Sequence, residues 1–294
     1  MRIPDRLRDG GPCFSFEFFP PKTDEGVTNL FTALDELRPL APAFVSVTYG
    51  AGGGTRQRTV DLVTEIKSRT GIEPVAHIAC LGHTRGEIAD ILDRLGGGGI
   101  ENVLCLRGDP PRDGPPYHGV TDGFRFANEL VAFTRRGPWG VSIGAACYPE
   151  GHLENPSRED DLRTARLKVD AGAEFLITQL FFDNAFYFDF VARARAAGIT
   201  VPIVPGIMPI TSFEQIDRMT RMCGATIPMR LRLELERRKD DPEAIQQLGV
   251  AHSTVQCVEL LERGAPGIHF YTLNRSRATR MILTALRAAD RLAR

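Results

Sequence analysis

A (β/α)8 TIM barrel, α/β in class with extra helices between strands 7 and 8, is the fold that this sequence of 294 residues predicts. Three observations predict it. Eight short apolar segments recur along the chain, nearly unbroken by charge, as strands covered on both faces require. Between successive segments the apolar residues change to the three-and-four spacing of a helix. Polar side chains gather at the C-terminal ends of the apolar segments, where α/β barrels build their sites.

The first segment is FSFEFFPP, residues 14–21. Pro20 and Pro21 cannot donate to a ladder, so the strand ends near Phe19. Side chains alternate along a strand, which puts Phe14, Phe16 and Phe18 on one face and Ser15, Glu17 and Phe19 on the other. In a barrel the Phe14 face lies under the helices and Glu17 points inward near the mouth. A lone Glu on an isolated strand would simply be solvated; the recurrence of the pattern argues otherwise.

Val27, Leu30, Phe31, Leu34 and Leu37 then mark a helix over 24–38, with Asp24 as its expected cap. FVSVTYG (44–50) is the second strand and 56–67 the second helix. PVAHIAC (74–80), a helix over 85–95 and NVLCLRGD (102–109) continue the alternation. GVSIGAACYP (140–149), FLITQLFFD (175–183), VPIVPGIMP (201–209) and GIHFYTLN (267–274) complete eight strands. The long interval 210–266 holds the extra helices, and its charged stretch 230–247 reads as a solvated excursion. A doubly wound sheet is the rival arrangement, but GAGGGT at 50–55 has Thr55 where the dinucleotide fingerprint needs its last glycine, and it follows the second strand. GGGG at 96–99 precedes a strand and reads as a helix-to-strand turn.

One domain over 1–294 is expected, since barrels reach about 250 residues as single units. The 36 Lys plus Arg nearly balance 37 Asp plus Glu, which argues against nucleic acid or an anionic membrane as partner. The N-terminal stretch MRIPDRLRDGG has no apolar leader, and no apolar run approaches the ~20 residues of a membrane span, so a cytoplasmic protein is expected. Six cysteines show neither CxxC nor metal-cluster spacing. They read as small buried residues, and no metal is expected.

The strand ends carry Glu17, Thr48, His77, Arg107 with Asp109, Tyr148, Gln179, and Tyr271 with Arg275. Each has a structural explanation alone. Together they imply a large polar ligand, because burying such groups unpartnered costs roughly 1–3 kcal/mol each. No hydrolase motif accompanies them, so proton transfer beside a bound cofactor fits better than hydrolysis.

FSFEFFPPKT, VSVTYGAGG, LRGDPP, YPEGH, KVDAGA with ITQLFFD, PGIMPI and HFYTLNR, in this order, resemble the 5,10-methylenetetrahydrofolate reductases over nearly the whole chain. The resemblance implies a barrel that binds FAD, takes a hydride from NADH or NADPH, and delivers it to the methylene carbon of the folate. It implies Glu17 as general acid and Asp109 as the carboxylate beside flavin and pterin. It implies FAD contacts for Thr48, His77, Leu106, Arg107, Gly108, Asp109, Phe126, Ala127, Ala146, Tyr148, His152, Asp161, Thr164 and Lys168. Folate contacts fall to Glu17, Gln179, Met219, Tyr271 and Arg275. Thr164, Leu167 and Met219 depart from side chains found in other members: Leu167 removes a cation and Met219 an aromatic ring. A homo-oligomer, dimer or tetramer, is also implied, and no regulatory C-terminal domain like that of the animal enzymes is expected.

The residues support the same chemistry. Opening the folate's five-membered ring needs a proton on the departing nitrogen, and burial raises a carboxyl pKa, so Glu17, in a barrel mouth roofed by an aromatic cofactor, is expected to be protonated near neutral pH while Asp109, in a more polar setting, stays ionised. The rival readings are a flavin- or folate-binding barrel subunit of a larger electron-transfer complex and a flavin-free barrel aldolase or pterin synthase.

Overall fold

The structure, a computed structural model, describes residues 1–9, 11–49, 56–109, 119–155 and 157–288. Among them, nine parallel strand segments form one sheet: β1 (Cys13–Phe18), β2 (Phe44–Val47), β3 (Pro74–Ala79), β4 (Asn102–Leu106), β5 (Ser142–Cys147), β6 (Phe175–Thr178), β7 (Ile203–Val204), β8 (Gly206–Ile207) and β9 (Gly267–Tyr271). Their lateral order is β7-β6-β5-β4-β3-β2-β1-β9-β8.

The ninth strand arises within the expected seventh. Pro205 has no N–H to donate and divides it, so β7 pairs with β6 while β8 pairs with β9. The free carbonyl of Pro205 still accepts from His269 N at 2.9 Å. Both ends of the sheet therefore belong to one short segment, and the chain itself closes the barrel. Gly267 permits close pairing on the other side of β9: its φ is +154°, and a Cβ there would lie 1.9 Å from the Cys13 carbonyl oxygen.

The helices are α1 (Ile3–Arg8), α2 (Asp24–Leu37), α3 (Arg56–Thr70), α4 (Arg85–Gly97), α5 (Ala127–Arg136), α6 (Arg158–Asp170), α7 (Asn184–Ala196), α8 (Phe213–Cys223), α9 (Met229–Glu236), α10 (Pro242–Glu262) and α11 (Arg277–Ala288). Two expectations are corrected here. Thr23, not Asp24, caps α2, its hydroxyl accepting from Gly26 N at 3.1 Å; Asp24 is already helical. The stretch 230–247 is not uniformly solvated, because Leu231, Leu235 and Ile245 turn inward against Leu180, Met208 and Ile210. The glycine-rich segment at 50–55 and the prolines at 110 and 111 lie outside the described residues.

Alternation along the strands sorts the core into two. Phe14, Phe16, Phe18, Val45, Val47 and Ile78 pack outward against Leu30, Leu34 and Ile66 of the helices. Cys13, Phe44, Val75, Leu104 and Phe175 fill the barrel's lower interior, where Ile3 and Leu7 of α1 plug it. Moving up the same inward faces, the side chains become polar: Ser15 and Glu17 on β1, Ser46 on β2, His77 on β3 and His269 on β9. Five of the six cysteines are buried and Cys223 is half-buried, all as free thiols.

Candidate active site

The upper interior opens into a cavity of ≈ 320 Å³ at the C-terminal ends of the strands. Of the residues singled out from sequence, Glu17, Thr48, His77, Leu106, Ala146, Tyr148, Gln179, Met219 and Tyr271 line it. Phe19, Tyr49 and Leu273 line it too, and the strand-end reading did not include them.

Glu17 stands at the floor of the mouth. Parallel pairing sets Ser46 of β2 on one side of it and Tyr271 of β9 on the other. Its Oε2 lies 3.4 Å from His269 Nε2, 3.5 Å from His77 Nε2 and 3.5 Å from Ser46 Oγ. Behind it, His269 Nδ1 and Ser15 Oγ share a 2.8 Å hydrogen bond, with both residues fully buried. Ser15, Ser46 and His269 were missed from sequence, although Ser15 shares Glu17's face and His269 precedes Tyr271 by the strand period of two.

These partners act against the effect of burial. Burial pushes the Glu17 carboxyl up, but the hydrogen bond from His269, the facing His77 imidazole and the Ser46 hydroxyl outweigh it, and the net direction is down. The contacts around Glu17 favour its carboxylate form. His77 itself is pushed down to about 4 by burial, so it is neutral at pH 7 and the standing partner is His269.

A second group lies over β4, β5 and α6. Lys168 is buried, and its ammonium donates to the Ala146 carbonyl at 2.8 Å, with the Tyr148 ring centroid 5.6 Å away. Burial lowers the Lys168 pKa. Tyr148 meets His152 edge to face at 4.8 Å, and His152 N donates to Asp161 Oδ2 at 2.5 Å. Arg107 forms a two-pronged pair with Glu154, at 2.5 and 2.7 Å, beside Gly108 and the exposed Asp109. Thr164 spends its hydroxyl on the Asp160 carbonyl of its own helix at 2.9 Å. Leu167 is exposed, as is Phe126 at the entry to α5, whereas the next residue, Ala127, is buried.

Of the expected folate contacts, Gln179 folds back so that its Oε1 accepts from Leu180 N at 2.9 Å. The Tyr271 hydroxyl donates to the Thr178 carbonyl at 2.6 Å. Gly206 leaves room for that ring, since a Cβ there would stand 2.6 Å from it. Met219 reaches the cavity from α8. Arg275 is exposed beyond β9 and does not line the cavity. Among the described residues no group of three or more His, Cys, Asp or Glu is placed to hold a metal ion, and no helix is long and apolar enough to cross a membrane.

A parallel α/β barrel with a histidine-flanked carboxylate and a buried lysine at its C-terminal mouth belongs to the class of barrel proteins that bind ligands at the strand ends. The family model described as methylenetetrahydrofolate reductase matches residues 2–287, and the chain belongs to this family. It is 40% identical over 264 residues to the 5,10-methylenetetrahydrofolate reductase of Escherichia coli (strain K12), covering 89% of this chain and 86% of that one. It is 38% identical over 305 residues to methylenetetrahydrofolate reductase (NADH) 1 of Arabidopsis thaliana, covering 99% of this chain and 51% of that protein. The chain thus spans about half the length of the plant relatives. A protein of Clostridium thermocellum, described as binding two copies of 5-methyl-5,6,7,8-tetrahydrofolic acid, superposes with a TM-score of 0.65 at 15% identity over the whole of both chains. That likeness concerns the fold.

Proposed function

We propose that this chain reduces 5,10-methylenetetrahydrofolate to 5-methyltetrahydrofolate, with FAD as cofactor and NADH or NADPH as electron donor, and that the barrel mouth is its active site. The observation that carries the proposal is family membership across residues 2–287, combined with Glu17 on the floor of the mouth in contact with two buried imidazoles. The Arabidopsis relative's name favours NADH.

The residues present suit a flavin dinucleotide. His77 Nε2 is buried in the cavity wall, facing Glu17 Oε2 at 3.5 Å without an aligned hydrogen bond, and the Lys168 ammonium is buried against a neutral carbonyl. Both conditions are costly until a polar, anionic ligand arrives. Thr48, Leu106, Ala146 and Tyr148 supply wall, while Arg107, Gly108, Asp109, His152, Asp161 and Lys168 supply polar contacts around it. Phe126, Ala127 and Thr164 are assigned to the same cofactor through the family. FAD, when bound, supplies the hydride relay between nicotinamide and folate.

The chain's own contribution is proton control. Ring opening requires Glu17 to arrive protonated, and ligands that cover the mouth remove water from a carboxyl whose burial already works in that direction. The Ser15–His269 pair accommodates both states. When Glu17 is ionised, Nε2–H of His269 donates to it and Nδ1 accepts from Ser15. When Glu17 is protonated, the carboxyl donates to Nε2, and Nδ1–H donates to Ser15.

The direct test is spectroscopic. Protein incubated with FAD should show flavin absorbance and a raised melting temperature; NADH should bleach the band, and methylenetetrahydrofolate should restore it. Protein that neither colours nor shifts with excess FAD would refute the cofactor assignment. A flavin band that NADH bleaches but folate leaves bleached would favour the electron-transfer subunit instead.

Asp109 gives a separate prediction. Its charge is felt by both Tyr148 and Arg107 at the mouth. Asp109→Asn should raise the midpoint potential of bound flavin and weaken folate binding together. An unchanged or lowered potential would remove Asp109 from the flavin's neighbourhood.

A further inference from the structure

Two consecutive residues just beyond β9, Leu273 with φ +51° and Asn274 with φ +59°, occupy the left-handed region. Asparagine tolerates that conformation, but for leucine it is a departure. Such strain persists only where surrounding contacts impose it.

The imposing contacts are visible. The Asn274 side chain accepts from Phe19 N at 2.9 Å through Oδ1 and donates to Phe19 O at 2.9 Å through Nδ2. One amide thus satisfies both backbone groups of the last residue before Pro20, where β1 has no further ladder partner. Two residues earlier, Thr272 Oγ donates to the Glu17 carbonyl at 2.5 Å, and Thr272 N lies 3.3 Å from the same oxygen. The tops of β1 and β9 are therefore joined by side chains where the sheet ends.

This joint has consequences for the cavity. Phe19 and Leu273 both line it, and Phe19 is 44% exposed. Asn274 does not line it, yet it fixes the backbone of the first and is chain neighbour to the second. We infer that Asn274 is a positioning residue: by bonding both backbone groups of Phe19 it holds Phe19 and Leu273 in place as apolar lining for a planar ring, and it holds the end of β1 that carries Glu17. This rests on the proposed reaction, because it assigns the folate half of that reaction as the part that depends on the joint.

Asparagine can serve here in two ways, and two variants separate them. Asn274→Gly keeps the left-handed backbone without strain but cannot bridge to Phe19; Asn274→Ala loses the bridge and keeps the strain. If bridging matters, both variants should slow folate-dependent reoxidation by about 10- to 100-fold, the scale expected from sub-ångström misplacement of reacting groups. The apparent folate affinity should fall with it. Flavin content and the rate of bleaching by NADH should stay within about twofold. Asn274→Gly should also melt close to the parent protein, which excludes general loosening as the cause. If Asn274→Gly behaves like the parent in the folate half, or if both halves slow equally, the inference is overturned. A parent protein that lacks the two half-reactions would instead refute the proposed function.

Discussion

Glu17→Gln should leave reduction by NADH nearly intact and slow the folate half by about 10²–10⁴, the usual contribution of a positioned general acid. The two halves differ in what they ask of the protein. Hydride transfer from nicotinamide opens no ring and needs no proton from the chain. Ring opening of the folate places negative charge on a departing nitrogen, and an amide cannot neutralise it. The substitution is nearly isosteric, so the contacts to Ser46 and His269 at 3.4–3.5 Å keep a polar partner and FAD should stay bound. Stopped-flow absorbance resolves both halves on one sample. Equal slowing of the two would mean that Glu17 supports the site's shape and does not supply the proton.

The placement of Glu17 was legible in sequence because it needed only the period of two and the prolines that end the strand. Its protonation was not. The groups that lower its pKa come from β2, β3 and β9 and reach it only through register; His269 is 252 residues away in the chain. A rule about burial on one strand could not weigh donors contributed by others. The same limit explains why Ser15 was passed over: its meaning comes from a 2.8 Å contact with His269, 254 residues distant. The divided seventh strand was legible in retrospect, since Pro205 sits in its middle, but an apolar run gives no sign of which half pairs with which neighbour. The cap of α2 differed by one residue, because Thr23 and Asp24 are both good caps and only backbone geometry decides. Buried hydrophobes at 231, 235 and 245 were hidden among charges, which dominate a short helix's appearance while one narrow stripe does the packing.

Lys168→Met should act in opposite directions on the empty and the loaded protein. The Lys168 side chain is 7% exposed, and its ammonium donates to the neutral Ala146 carbonyl. Burial lowers its pKa, the nearby Asp161 only partly opposes this, and the net direction is down. Holding a cation under those conditions is unfavourable, and an unbranched apolar side chain of similar length removes the cost. The ligand-free variant should therefore melt at the same temperature as the parent or higher, with a gain of about 1–3 kcal/mol at most. If Lys168 holds the proposed FAD, its binding should weaken by about 10–100-fold, because a hydrogen bond from a charged group is worth about 1.5–3 kcal/mol. Thermal melts with and without FAD, together with a fluorescence titration of the flavin, measure both effects. A variant that loses stability and flavin affinity in parallel would make Lys168 a structural residue, whereas the predicted opposition of signs would mark a cation held in place for the anion it receives.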